Sequence, residues 1–304
     1  MRYGAFEEVN TTVFSAGFVV RPFQSETYYR FVEFQAASAY SFRDSKAVVY
    51  LKEEYIRRAS AFRDEIQKTE VDKGIFSRIK RVEVKADPLR FYEALVKTYP
   101  NAFVYLISSP LFGTWVGASP EILLTNSEGN GNTVALAGTK RTSDNTPWGK
   151  KEEQEQQYVT SYIGEKLTSL GLAEVQQSSC YESMAGPVKH LKTDFRFQLP
   201  FDRVVEVANT LHPTPAVCGI PLKSSRELIR NYETHARDLY TGFLGVIGEQ
   251  THLYVNLRCA ELREDHTLLF LGGGFTADSD VESEWEETEN KSRTLLDVLE
   301  RISL

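Results

Sequence analysis

Cysteine is scarce in this 304-residue chain. Cys180, Cys218 and Cys259 are widely separated and odd in number, which excludes a disulfide scaffold and fits a reducing compartment. No Lys/Arg-rich cluster is present, and 42 acidic against 35 basic residues leave a formal charge of -7. That balance argues against a nucleic-acid binder, which needs a basic stripe to displace counterions. Long apolar runs are missing too. The longest, Ala102 to Ala118, is broken by Ser108, Ser109 and Pro110, so no membrane span is expected. The opening MRYGAFEEVN carries acids where a secretory leader has a basic-then-apolar ramp, and a cytoplasmic location is the expectation. The five histidines are scattered, and no His/Cys pair has zinc-ligand spacing. Walker A, G-x-G-x-x-G and nucleophile-elbow motifs are absent.

What is present is a mixture of strand and helix patterns. Residues 11–23, 27–35 and 74–85 read as strands, as do 102–108, 113–118, 121–125 and 132–137. So do 181–199, 240–248, 251–262 and 266–273. Helices are predicted over about 51–70, 88–98, from Lys150 onward, 201–209, 223–231 and 283–302. Strands without regular βαβ alternation predict an α+β fold, with antiparallel sheets and helices packed outside, in one domain over 1–304.

Certain acids fall in unexpected places. In the helix after Lys150, the apolar stripe Val159, Tyr162, Ile163, Leu167 extends back by helical steps to Glu155 and Glu152. The last helix repeats this with Ile302, Val298, Leu295, Lys291, Glu287 and Glu284. Four inward carboxylates need a cation or several donors, and an oxygen-only set suits Mg²⁺. Taken singly, either pair equally suits a solvated first turn, where the macrodipole favours acids. Gly272-Gly273-Gly274 precedes the last helix and would let backbone N–H groups approach an anion, or would simply make a tight strand exit. Arg258, inside the strand-like run YVNLRCAEL, demands a carboxylate partner, whether structural or on a ligand.

At this point the motifs resemble those of the chorismate-utilising enzymes, above all the isochorismate synthases of menaquinone and siderophore pathways. The matching pieces run in family order from about residue 70 to 293. They are KGIFSR (73–78), GASPEILL (117–124), ALAGTKR (135–141), KEEQEQQYV (151–159), HLKT (190–193) and LHPTPAVCGIP (211–221). LYTGFLG (239–245), NLRCAEL (256–262) and GGGFTADSDVESEWEETENK (272–291) complete the set. The chain departs from the usual pattern in three ways: Gln156 stands where a histidine is common, GTKR replaces GTRPR, and about 1–70 is shorter.

The resemblance implies two stacked antiparallel sheets covered by helices, with chorismate bound alongside Mg²⁺. It implies Glu155 and Glu287 as direct metal ligands, with Glu152 and Glu284 holding metal-bound waters. It places Tyr240, Arg258, Gly272, Gly274, Lys291, His190, Thr214 and Ala216 around the substrate. Lys73 is implied as general base and Glu121 as general acid, exchanging the C4 hydroxyl of chorismate for one at C2. A buried lysine or one near a cation can serve as base, and a desolvated carboxyl keeps the proton that an acid needs. The HPTPA form of the Pro-rich segment, together with Lys73, resembles the enzymes that add water, so no glutaminase subunit is expected. Salicylate, aminodeoxychorismate and anthranilate synthases, or a non-catalytic chorismate-binding relative, are the alternatives.

Overall fold

The computed structural model describes residues 4–9, 16–33, 40–185 and 188–303. Along the chain, β1 (Gly4–Val9), β2 (Gly17–Arg21) and β3 (Tyr28–Glu33) precede α1 (Lys52–Ile66) and β4 (Lys73–Val82). Then come α2 (Pro88–Thr98), β5 (Phe103–Ser109), β6 (Gly113–Ser119), β7 (Ile122–Ser127), β8 (Asn130–Arg141) and α3 (Lys150–Ser169). Next are β9 (Gln176–Gln177), β10 (Tyr181–Ala185), β11 (Val188–Gln198), α4 (Val204–Leu211), β12 (Gly219–Ile220) and α5 (Leu222–Tyr232). The chain closes with β13 (Phe243–Ile247), β14 (Gln250–Val255), β15 (Cys259–Leu262), β16 (Thr267–Phe275) and α6 (Val281–Ser303).

Local chemistry accounts for several boundaries. Asp87 caps α2, accepting a hydrogen bond from the Arg90 amide at 2.8 Å, and Pro88 occupies the first helical position, where its missing N–H costs nothing. Asp280 holds the Ser283 amide at the start of α6 in the same manner, at 2.8 Å. The predicted strand 251–262 is broken, because the chain leaves one sheet after Val255 and enters the other at Cys259. Residues 11–15, 34–35 and 186–187 of the predicted strands lie outside the described residues.

All described strand pairings are antiparallel. The larger sheet runs β1-β3-β2-β13-β14-β7-β8-β11-β10, with β9 also on β11, and the smaller runs β12-β4-β16-β15-β6-β5. Between them lies a core that takes Val20 and Leu244 from one sheet and Ile79, Ile107, Trp115 and Phe270 from the other. α3 and α4 cover the outer face of the larger sheet, with Val159, Ile163, Leu167 and Leu211 against Ala135 and Phe195. α2 and α6 cover the smaller one, with Phe91, Leu95, Leu295 and Leu299 against Val116, Ala260 and Leu269. This is the expected α+β architecture of two antiparallel sheets with helices outside. β6 and β15 are buried at every position because core covers both faces of the smaller sheet, whereas β14 alternates with the two-residue period of a strand.

Trp115 is the largest side chain wholly enclosed in the inter-sheet core. Its indole N–H donates to the Phe112 carbonyl at 2.8 Å, and its ring lies 4.8 Å from that of Phe270. Replacing Trp115 by Ala is expected to remove about 3–5 kcal/mol of stability, measured by urea unfolding. A loss under 1 kcal/mol would show that the sheets close over the gap.

Candidate active site

Three chain crossings between the sheets assemble the site. β6 of the smaller sheet passes to β7 of the larger through Pro120 and Glu121, while β14 passes back to β15 through Asn256, Leu257 and Arg258. The two crossings are tied together. The Ala118 amide donates to the Arg258 carbonyl and the Val255 amide to the Glu121 carbonyl, both at 3.0 Å. Arg258 therefore lies in a crossing and not within a strand as expected, and its left-handed backbone (φ 48°) turns the chain between the sheets. The third crossing leads into β13 through Tyr240 and Thr241, where the Thr241 amide donates to the Asn256 carbonyl at 2.9 Å. Glu121, Arg258 and Tyr240 are neighbours because strands from both sheets end at one seam.

Lys73 opens β4 and is buried. Its side chain lies across Gly274, where a Cβ would come within 2.9 Å of Cε. Gly272 likewise faces the Tyr240 hydroxyl, which a Cβ would approach to 2.8 Å. Here the glycines admit the side chains of the site against bare backbone. Lys73 Nζ stands 3.8 Å from Glu155 Oε2. Lys291 Nζ donates to the Gly272 carbonyl at 2.9 Å and pairs with Glu287 at 2.5 Å, and Arg258 Nη1 reaches the Lys291 carbonyl at 3.4 Å.

The electrostatics follow from this crowding. Glu121 keeps a narrow opening to solvent but is ringed by protein. Desolvation drives its pKa up to about 7, against the downward pull of Lys73, Arg258 and the Thr214 hydroxyl. Thr214 Oγ1 is itself buried and closes no hydrogen bond of good geometry, so it approaches Glu121 without saturating it. Burial lowers the pKa of Arg258, opposed by Tyr240, Glu287, Tyr99 and Glu121. Burial raises that of the Tyr240 phenol. His190 sits where the β8–β11 register shifts, and its Nδ1 meets the Gly138 carbonyl at 2.9 Å. That contact assigns the proton to Nδ1, and burial lowers the ring's pKa. Ala216 is partly buried in the loop just after Thr214.

The acid pairs are arranged less symmetrically than their spacing predicted. On α3, Gln156 takes the fully buried position, bonding the Ala135 carbonyl and Thr193, while Glu152 and Glu155 flank it half-buried. Glu152 packs on Gly138 and Gly149. On α6, Glu284 is buried against Gly273, but Glu287 is half exposed, contrary to its expected inward place. The stripe steps from Glu284 to Thr288 and Ser292 instead, because 3.6 residues per turn carries position 287 off the buried line. Among the described residues no three His, Cys, Asp or Glu side chains already converge on a point that could hold a metal. Among them, too, no helix is long and apolar enough to cross a membrane.

Sequence reasoning passed over several supporting residues. Gly219 (φ 127°) brings β12 onto the Lys73 carbonyl so closely that a Cβ would lie 2.1 Å from that oxygen, and Ser225 Oγ donates to the same oxygen at 3.1 Å. His212 is buried with its pKa lowered to about 3 by desolvation, and joins Arg21 at 3.0 Å to the Thr241 carbonyl at 2.8 Å. Glu233 and Arg237 form a buried pair. They lie in the loop after α5, so no helical spacing marks them in the sequence. A separate open groove, lined by Asn132, Lys192, Asp194 and Arg196 on the β8–β11 face, shares no residue with this site.

Residues 25–300 match the family model described as chorismate binding enzyme. Isochorismate synthase EntC of Escherichia coli K12 is 27% identical over 285 residues, covering 86% of this chain and 73% of that protein. Anthranilate synthase component 1 of Aquifex aeolicus is 26% identical over 269 residues, covering 83% and 54%. In structure, the menaquinone-specific isochorismate synthase MenF of E. coli superposes with a TM-score of 0.77 at 20% identity, covering 93% of this chain and 78% of that one. The fold, the seam and the match over nearly the whole chain agree: the chain belongs to the chorismate-binding enzyme family, among relatives that include isochorismate synthases.

Proposed function

We propose that this enzyme is an Mg²⁺-dependent isochorismate synthase. The observation that carries the reading is the Glu121 carboxyl, poised near pH 7 by burial and set in the fields of Lys73 and Arg258. A carboxyl so placed is a proton donor at neutral pH, and Lys73, in its neutral amine form, supplies the complementary base. Chorismate carries two carboxylates and a C4 hydroxyl. Arg258 and Lys291, with Tyr240 and the backbone at Gly272 and Gly274, offer the cations and donors for the carboxylates. Thr214, Ala216 and His190 bound the ring. Lys73 takes a proton from water as its oxygen bonds to C2, the ring double bonds shift, and Glu121 protonates the departing C4 oxygen, which leaves as water. The ring gains one water and loses one, so chorismate and product are isomers.

Glu152, Glu155, Glu284 and Glu287 fit a hard divalent cation. The set is oxygen-only: Glu155 stands 3.8 Å from Lys73, Glu284 lies against Gly273, Glu287 pairs with Lys291, and Glu152 packs on Gly138 and Gly149. Among the described residues no three of these carboxylates already converge, so an ion would have to draw them together, with water and substrate oxygen completing the shell that Mg²⁺ prefers. Bound there, the ion would neutralise substrate carboxylate charge and orient the ring. The HPTPA segment and Lys73 favour water over ammonia as nucleophile, and the reading needs no glutaminase subunit.

Purified protein with chorismate and Mg²⁺ is expected to yield isochorismate whether or not ammonia is added. Anthranilate or aminodeoxychorismate appearing only with ammonia, or salicylate with pyruvate, would replace this reading with a sibling activity. Binding without any product would indicate a non-catalytic relative.

The Glu121 pKa predicts a pH profile. The acid must be protonated, so kcat/KM should fall as pH rises through about 7. Glu121→Gln should cut kcat by about 10²–10⁴ and abolish that limb. The same shift affects stability. A carboxyl whose folded pKa exceeds its unfolded value loses stabilisation as pH rises from about 4.5 to about 7. Glu121→Gln should therefore melt above the wild type at pH 8, with the gap closing by pH 4. Equal melting curves across that range would show the carboxyl is not desolvated.

Mg²⁺ titration separates the acids. Glu155→Ala and Glu287→Ala should each raise the Mg²⁺ needed for half-activation by about tenfold or more. A variant with an unchanged midpoint is not a ligand.

A further inference from the structure

Arg237 is fully enclosed, its side chain 0% exposed, yet it is none of the acid, base, substrate or metal positions. Its five N–H donors meet five acceptors. Nε donates to Glu233 Oε2 at 2.8 Å, and Nη2 donates to Glu233 Oε1 at 2.6 Å and to the Ile75 carbonyl at 2.9 Å. Nη1 donates to the Val217 carbonyl at 2.8 Å and to Thr241 Oγ1 at 3.2 Å. The guanidinium lies 4.5 Å over the Phe23 ring. Glu233 Oε1 also accepts the Ser77 amide at 2.7 Å. Burial opposes both charges, but each partner outweighs it, holding Glu233 below the usual carboxylate range and Arg237 above its own.

The partners of the pair lie on particular segments. Ile75 and Ser77 are two and four residues beyond Lys73 on β4. Val217 directly follows Ala216 and is three residues past Thr214, and Thr241 follows Tyr240. One planar cation thus joins the strand of the general base, the loop beside the general acid and the crossing that carries the substrate tyrosine. Stability alone does not call for such a pair, since apolar replacements of buried ion pairs are often neutral or stabilising. A rigid fork does what an apolar contact cannot: it fixes the direction of each bond.

We infer that the Glu233–Arg237 pair is a positioning clamp, setting where Lys73, Thr214 and Tyr240 stand relative to one another without touching substrate. The inference rests on the chorismate-enzyme reading of that site. Two variants test it: Arg237→Lys, which keeps the charge and loses the fork, and Thr241→Ala, which cuts one arm and spares the pair. Each would be characterised by melting, steady-state kinetics and amide hydrogen exchange. Arg237→Lys is expected to lose about 10²-fold in kcat with little change in KM, as misplaced catalytic groups do. Thr241→Ala should lose less, with a melting temperature near wild type. Faster exchange should be confined to 73–77, 214–217 and 240–242, while α6 amides keep their protection. Glu233→Asp, retaining the charge pair, should be closer to wild type than Glu233→Gln.

Folded variants with wild-type kcat would overturn the clamp. So would a kcat loss that merely tracks melting temperature with exchange rising everywhere. If Arg237→Lys does not fold, Thr241→Ala decides by the same criteria. Should wild type make a different product from chorismate, the proposed function fails while the clamp is scored on that product's kcat. Should it make none, confined exchange with weakened chorismate binding supports the clamp, and unchanged binding refutes it.

Discussion

A carboxylic acid largely shielded from water at the seam between two sheets is the constraint on which the site depends. Glu121 occupies a chain crossing, where backbone from both sheets surrounds it, and that enclosure lifts its pKa to about 7. Desolvation of this kind is unfavourable for folding, and the nearby cations reduce but do not cancel it. Lys73 and Arg258 must come close enough to steady the site yet leave the carboxyl able to hold its proton. The crossings meet this demand by bonding to each other through the Ala118 and Val255 amides, which fixes backbone positions before any side chain is considered.

Around the seam, glycine and buried charge serve one purpose. Gly272 and Gly274 leave bare backbone for the Tyr240 hydroxyl and the Lys73 chain, and Gly219 lets β12 close on the Lys73 carbonyl. Polar groups this deep are mostly satisfied. Arg237 exhausts its donors, and neutral His212 bridges Arg21 to the Thr241 carbonyl. The apolar cores on either side, between the sheets and under the helices, supply the rigidity against which these networks hold their geometry.

Much of this was legible from residues alone. Helix α2 falls where Asp87 and Pro88 place it, and α3 starts at Lys150 as its charge and apolar pattern require. Strands in no βαβ order point to antiparallel sheets with helices outside, and the ordered motifs point to the family and, through it, to two stacked sheets. The errors have a common cause. Arg258 reads as part of a strand because apolar neighbours continue on both sides of it, and periodicity carries no sign of a change of sheet. Extending the stripe from Leu295 points Glu287 inward, whereas the helical period carries the buried line through Thr288. Lys73 stood out only through its family match, because nothing local distinguishes a catalytic lysine from a solvated one.

What the amino-acid order determined by itself was local: caps, turns, alternation, the heads of helices that carry acids, and a set of motifs specific enough to place the chain in its family. What only the tertiary structure decided was which of those residues share one low-dielectric space. Glu121 and Arg258 are 137 positions apart in sequence, and neither has an unusual environment until two crossings are hydrogen-bonded together. The pKa of a carboxyl is set by solvent removed and charges brought near, and both depend on where the rest of the chain goes.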